Sequence, residues 1–224
     1  LAPHLPGLVL SLSLAMASTE DGAALEGESI RVAVRVRPFT AREAARGCKL
    51  CVEMPDRMTT VLVAPEGKGR GAEPRQPFRF DHCYWSHDRS HPNYASQEVV
   101  YNDLGKFALN NAFQGYNVCL FAYGQTGSGK SYSMVGSDDD KGIVPRVASS
   151  LFEHVDANKS ENVTFEVVTS MIEIYSEQIR DLLNPKHATA KAGSGSDLRV
   201  REHPQHGPYI EGLTAMRATS YKDI

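Results

Sequence analysis

The stretch Gly124-Gln125-Thr126-Gly127-Ser128-Gly129-Lys130-Ser131 fits the pattern G-x-x-x-x-G-K-S, and it stands between an apolar run and a segment of helical character. That placement is what a phosphate-binding loop requires. Glycines let the backbone curl so that successive N–H groups face inward as an anion nest. The following helix turns its unpaired N–H groups and positive end toward the same phosphates. In such a loop all eight residues surround the nucleotide, Lys130 supplies a point charge to the β and γ phosphates, and the Ser131 hydroxyl ligates magnesium. At average residue frequencies the four constrained positions arise by accident in roughly one chain of this length in a hundred. Strand and helix context lowers that figure further.

Working outward, Asn117-Val118-Cys119-Leu120-Phe121-Ala122-Tyr123 reads as a strand buried on both faces of a largely parallel sheet. Before it, Val100, Leu104 and Phe107 keep helical spacing over about 96–113, with Gly115 placed to end the helix. After the loop, a helical pattern runs from Val144 to Val155, a strand from Val163 to Tyr175, and a short helix over Ser176 to Leu183 that stops before Pro185. Toward the N-terminus, Ile30, Val32, Val34 and Val36 alternate with Arg31, Ala33, Arg35 and Arg37, a period-two strand stopped by Pro38. Shorter strands are expected at Cys51 to Met54, Thr59 to Val63, Phe78 to Asp81, Leu198 to Arg201 and Tyr209 to Ile210. The fold class this implies is α/β, a P-loop NTPase with a mixed central sheet and helices on both faces.

The 224 residues are 41% hydrophobic and 23% charged, which suits one globular domain or most of one. A net charge of -3 offers no basic excess for nucleic acid or an anionic membrane, and no stretch reaches the ~20 apolar residues that span a bilayer. Four scattered cysteines read as reduced thiols in the cytosol rather than a disulfide scaffold. Residues 1–29 read as a disordered leader, small and acidic from Met16 onward, and Met16 is a candidate start that would leave 1–15 untranslated.

The loop's surroundings resemble the kinesin motor domain. Val34-Arg35-Val36-Arg37-Pro38-Phe39 is similar to that family's opening R-x-R-P strand, and Gly115-Tyr116-Asn117-Val118 through Gly127 is similar to its approach to the phosphate loop. Phe80-Asp81, Tyr84-Trp85-Ser86-His87, Gly142-Ile143-Val144-Pro145-Arg146, Glu173-Ile174-Tyr175 and Asp181-Leu182-Leu183-Asn184-Pro185 follow in the family order. The run Leu198 to Pro204, with Gly207-Pro208-Tyr209, most resembles the vesicle-transporting branch that often carries a forkhead-associated domain. The resemblance covers residues 30–224 and implies the N-terminal part of a motor domain, incomplete at its C-terminus.

It also implies ATP and magnesium as cofactors, Arg35 and Pro38 bordering the adenine, and Tyr132, where many members have His, stacking on its other face. An arginine and an aromatic ring suit a purine face. Microtubules are the implied partner, with Arg199 and Arg201 as candidate tubulin contacts. Cargo adaptors or vesicles would be met through regions outside these residues, with no nucleic acid and no membrane insertion, and the implied location is the cytoplasmic cytoskeleton. The family's switch segments, N-x-x-S-S-R-S-H and D-L-A-G-S-E, have no counterpart here, and Ser149-Ser150 is followed by Leu151. In the family they follow a point close to Ile224, so a truncated motor half is expected to bind ATP yet turn it over weakly. A P-loop protein without motility, such as a small-molecule kinase, and an inert truncated product are the competing readings.

Overall fold

A computed structural model describes residues 8–15, 30–63, 75–160, 162–184, 198–205 and 207–224. The chain divides into two compact units, one of Leu1–Ser18, Lys106–Phe121 and Pro145–Ile224, the other of Thr19–Gly105 and Ala122–Val144.

In the second unit, β2 (Ala33–Val36) pairs in parallel with β6 (His82–Trp85), setting Val34 against Cys83 and Arg35 against Tyr84. The strand expected over Ile30 to Arg37 is thus shorter. Beyond the β6 ladder, Ile30 and Val32 find no neighbour to bury them and stay exposed. Strand β6 lacks a simple alternation and was not anticipated. The expected strand at Phe78 to Asp81 is displaced: β5 runs Arg75–Arg79, and Asp81 sits at the turn into β6, where its carboxylate accepts from the Val32 N–H at 2.7 Å. An antiparallel ladder joins β3 (Val52–Glu53), β4 (Thr59–Val63) and β5, with β3 and β4 falling within the spans expected for them. Met54, Cys83 and Trp85 form the core here, flanked by Val34, Val36 and Phe80. Helix α1 (Ala41–Ala45) opens with a capping box in which Thr40 and Glu43 satisfy each other's backbone N–H groups.

The helical pattern over 96–113 is realised in three pieces: α2 (Gln97–Val100), a π-helical turn at Tyr101–Gly105, and α3 (Lys106–Phe113). Ser96 caps the start by accepting from the Val99 N–H at 3.3 Å. Downstream stand the short α4 (Lys130–Met134) and α5 (Ile143–Asn158), the latter close to its expected span.

The first unit is built on β7 (Glu166–Tyr175), which pairs antiparallel with β8 (Gln178–Asp181), with β11 (Met216–Ala218) and with β1 (Leu8–Ala15). Leu151, Phe152 and Val155 of α5 pack with Leu109, Val167 and Ala218 as its core. The helix expected over Ser176 to Leu183 is instead a hairpin. Ser176 and Glu177 both take positive φ, 49° and 64°, in a two-residue turn of the kind that joins twisted antiparallel strands. Ile179 and Asp181 are buried at the period of a strand. Of the leader expected to be disordered over 1–29, Leu8–Ala15 is a strand in register with Glu173 down to Glu166 along one edge of β7, and the remainder lies outside the described residues. An open strand edge presents a row of unpaired N–H and C=O groups, a template for such an addition. A separate hairpin joins β9 (Val200–His203) to β10 (Gly207–Ile210), within a residue or two of its expected strands.

The largest departure lies beside the phosphate loop. Residues 117–123 form no strand, and all but Leu120 are exposed, Phe121 to 79% and Tyr123 to 97%. A strand exists only through its ladder, and none of the described strands lies alongside this run. For the same reason the described strands form four separate sheets, mixed in sense, instead of one central sheet.

Candidate functional site

Residues 124–131 turn where the sequence places the loop. Gly124, Gly127 and Gly129 have φ of 149°, 82° and 98°. A side chain at position 124 would bring its Cβ within 2.5 Å of the Ser128 Oγ, so glycine there is a steric requirement. Gly129 is the left-handed N-cap of α4, which lets the backbone reverse and present the helix's first N–H groups, unpartnered within the helix itself. The Ser128 N–H closes the inner turn on the Gln125 carbonyl at 3.1 Å. Lys130 folds back over the loop, donating to the carbonyls of Gly124 at 2.7 Å and Gln125 at 3.0 Å. Its ammonium therefore stands at the loop's mouth, the position from which it meets phosphate oxygens. Gln125, Thr126 and Ser131 are exposed. A hydroxyl directly after the lysine, with a left-handed glycine turn before it, fits a triphosphate with its magnesium ion.

Beside the loop opens a cavity of about 340 Å³ whose lining includes Arg35, Arg37, Pro38, Tyr94, Gly129 and Tyr132. The structure thus brings Arg35, Pro38 and Tyr132 together with the loop's second half. Strand β2 delivers Arg35 from one side and α4 delivers Tyr132 from the other. Arg35 is deeply held: its Nε donates to the Ser86 Oγ at 2.8 Å, and its Nη1 to the Gln97 Oε1 at 2.7 Å and the Ser133 Oγ at 3.0 Å. Its Cζ lies over the Tyr132 ring, 5.3 Å from the centroid. Burial lowers the Arg35 pKa, opposed by the neighbouring Tyr132 and Tyr94 rings and by Asp140. The Tyr132 hydroxyl donates to the Asp140 carboxylate at 2.6 Å; desolvation first, then that contact, raises the phenol's pKa.

Several residues of the site carried no sequence signal. Arg37 had been absorbed into the alternation of β2. It donates through Nε to the Gly127 carbonyl at 2.7 Å and makes a two-pronged pair with Glu43 at 2.7 and 2.8 Å. That bond pulls the Glu43 carboxyl down from 4.5 to about 2, with the Thr40 N–H and hydroxyl adding to it. Gln97, in the first turn of α2, is 1% exposed. Ser86 and Ser133 are likewise visible only once the chain is folded. Spacing locates residues on one element, whereas these four converge from four.

Arg199 and Arg201 belong to the other unit, on and just before the β9–β10 hairpin. Both are exposed, and Arg201 is paired through Nε with Glu211 at 3.1 Å. The residues 185–197 that lead to this hairpin fall outside the described residues. No helix among the described residues is long and apolar enough to cross a membrane, and none of their His, Cys, Asp and Glu side chains gather in threes as a metal site would need.

Comparison with known proteins agrees with this geometry. The sequence pattern of a family described as "Kinesin motor domain" matches residues 35–224. The protein described as "Kinesin-like protein KIF1A" from Rattus norvegicus is 46% identical over 203 residues, 89% of this chain and 11% of its own length. "Kinesin-like protein KIF13A" from Homo sapiens is 46% identical over 197 residues, 87% of this chain and 11% of its own. Among solved structures, KIF14 with AMP-PNP in complex with a microtubule superposes with a TM-score of 0.78 at 41% identity, covering 88% of this chain and 51% of that one. The same motor with ADP and a microtubule gives 0.76. The chain thus spans about a tenth of the curated relatives' length and about half of the solved motors'.

Proposed function

This chain belongs to the kinesin motor family, with the P-loop NTPase fold, and from that premise we propose that it is the nucleotide-binding part of a microtubule-based motor that couples ATP hydrolysis to movement. The observation that carries this reading is the glycine-turned loop with Lys130 at its mouth, opening on a cavity walled by Arg35, Pro38 and Tyr132. ATP is the proposed ligand: its phosphates lie on Gly124 to Ser131 and its base against Pro38 and Tyr132. Bound magnesium would neutralise charge on the β and γ phosphates, with the Ser131 hydroxyl among its ligands. Cargo contacts reside outside these 224 residues, the location is the cytoplasmic microtubule array, and Arg199 is the better of the two tubulin candidates, since Arg201 is engaged by Glu211.

Turnover is a separate matter. Hydrolysis needs an acid to hold magnesium and a group to orient the attacking water. The sequence pattern shows neither after Ser131, and ATP binding is therefore tested apart from ATP turnover. The test is calorimetric binding of magnesium-ATP to the chain and to Lys130→Ala, with phosphate release followed with and without microtubules. Saturable binding, weakened at least about 100-fold in the variant, as the loss of a charged contact to a charged ligand implies, supports the reading. Phosphoryl transfer to a small acceptor without microtubules would favour a metabolic kinase, and no binding by either protein would overturn the nucleotide site.

A further inference from the structure

The wall against which the base lies is itself held in place. Arg35 and Tyr132 are the two most distinctive groups of that wall, yet their separation, 5.3 Å from guanidinium carbon to ring centroid, is too short to admit a base between them. Two stacking distances need about 7 Å. Arg35 therefore backs the Tyr132 ring, a cation–π contact, and the base lies against the wall from the cavity side instead of between the two.

A buried guanidinium keeps such a position only if its donors are satisfied. Of the three acceptors around it, Gln97 is the most enclosed, at 1% exposed. It is also the one that reaches both partners of the contact. Its Oε1 accepts from Arg35 Nη1 at 2.7 Å, while its Nε2 donates to the Tyr132 carbonyl at 2.7 Å and the Asp140 carbonyl at 3.4 Å. One amide therefore links β2, the start of α4 and the loop whose Asp140 carboxylate anchors the Tyr132 hydroxyl.

We propose that Gln97 is the positioning residue of the base subsite, seating Arg35 against Tyr132 and so fixing the adenine-facing wall, while taking no part in holding the phosphates. This deepens the nucleotide reading and rests on it.

The experiment compares binding of magnesium-ATP and of inorganic tripolyphosphate to the full chain by calorimetry, for the unaltered protein, Gln97→Leu, Gln97→Glu, Arg35→Ala and the Gln97→Leu/Arg35→Ala double variant, with far-UV circular dichroism on each. Gln97→Leu is expected to weaken ATP about tenfold, the scale of one hydrogen bond to a charged group, and to leave tripolyphosphate within about twofold. Gln97→Glu keeps an oxygen for Arg35 but turns an acceptor toward the Tyr132 carbonyl in place of a donor, so it too should weaken ATP while sparing tripolyphosphate. Because Gln97 acts through Arg35, the double variant should bind ATP no more weakly than Arg35→Ala alone. Equal losses for ATP and tripolyphosphate, additive losses in the double variant, or no loss in Gln97→Leu would each overturn the assignment. Failure of the unaltered chain to bind ATP would instead sink the nucleotide reading, and the assignment with it.

Discussion

The phosphate loop has two flanks. On one side lies the run 117–123, which reads as a buried strand yet is exposed except at Leu120 and lies beside none of the described strands. On the other lies the wall that Arg35 makes with Ser86, Gln97 and Ser133, three partners of no distinctive sequence pattern, knitted by hydrogen bonds of 2.7–3.0 Å. The difference teaches what each kind of structure needs. A cluster of side chains around one guanidinium is completed by four residues, and all four are present. A buried strand is completed only by two neighbouring strands, and apolar content alone cannot provide them.

Breaking the ordered flank should have the largest effect. Gly124→Val forces a side chain into the space of the Ser128 Oγ and into a backbone conformation that glycine alone adopts readily. Strain of about 1–3 kcal/mol in the bound loop corresponds to a roughly 10–100-fold loss of ATP affinity, read by calorimetry. The melting of the two cores, which the loop does not enter, should move little. An affinity unchanged by the substitution would show that the loop binds nucleotide in another conformation.

Next in size is Ser86→Ala. Ser86 is 5% exposed, accepts from Arg35 and donates to the Ala95 carbonyl at 2.6 Å. Its removal leaves a buried donor and a buried acceptor short of a partner, a cost of about 1–3 kcal/mol in urea unfolding. A loss below about 0.5 kcal/mol would mean that water replaces the hydroxyl and that the wall is less closed than the other flank's exposure makes it look.

How much was legible follows the same division. The loop's turn, the strands β9 and β10, α5 and the helical span that α2 opens are readable because each is written in a local pattern of turn or period. The Ser176–Glu177 hairpin was misread as a helix, since Ile179, Leu182 and Leu183 satisfy helical spacing as well and nothing in Ser-Glu announces two positive φ angles. Arg37, Gln97 and Ser133 were invisible as site residues because their roles exist only between elements. The strand at 117–123 was read correctly as apolar and wrongly as paired.

Acid should loosen the ordered flank from a different side. Arg37 joins the Gly127 carbonyl of the loop to Glu43 of α1, whose carboxyl is held near 2 against an ordinary 4.5. A depressed carboxyl pKa means that the contact's contribution is complete above about pH 4.5 and is lost as pH falls through about 2. In a carboxyl titration followed by NMR, Glu43 should therefore titrate near 2 in the chain and move up toward 4.5 in Arg37→Ala. A midpoint unchanged by the substitution would assign the shift to the Thr40 cap alone and detach α1 from the loop.

The smallest expected effect is on the exposed flank, and it is the sharpest test of the comparison. Phe121 and Tyr123 are exposed to 79% and 97%, so neither removes much apolar surface from water when the chain folds. A fully buried Phe contributes about 1.5–3 kcal/mol relative to an exposed one. Phe121→Ser and Tyr123→Ser should therefore each shift the urea unfolding free energy by no more than about 0.5 kcal/mol, the range of surface substitutions, while reducing self-association, because they dilute an exposed apolar run. A loss of about 2 kcal/mol for either would mean that the run is packed in solution, against a strand of this chain or of a second copy. In that event the two flanks would no longer differ in kind, and the strand written in the sequence would have found the ladder it needs.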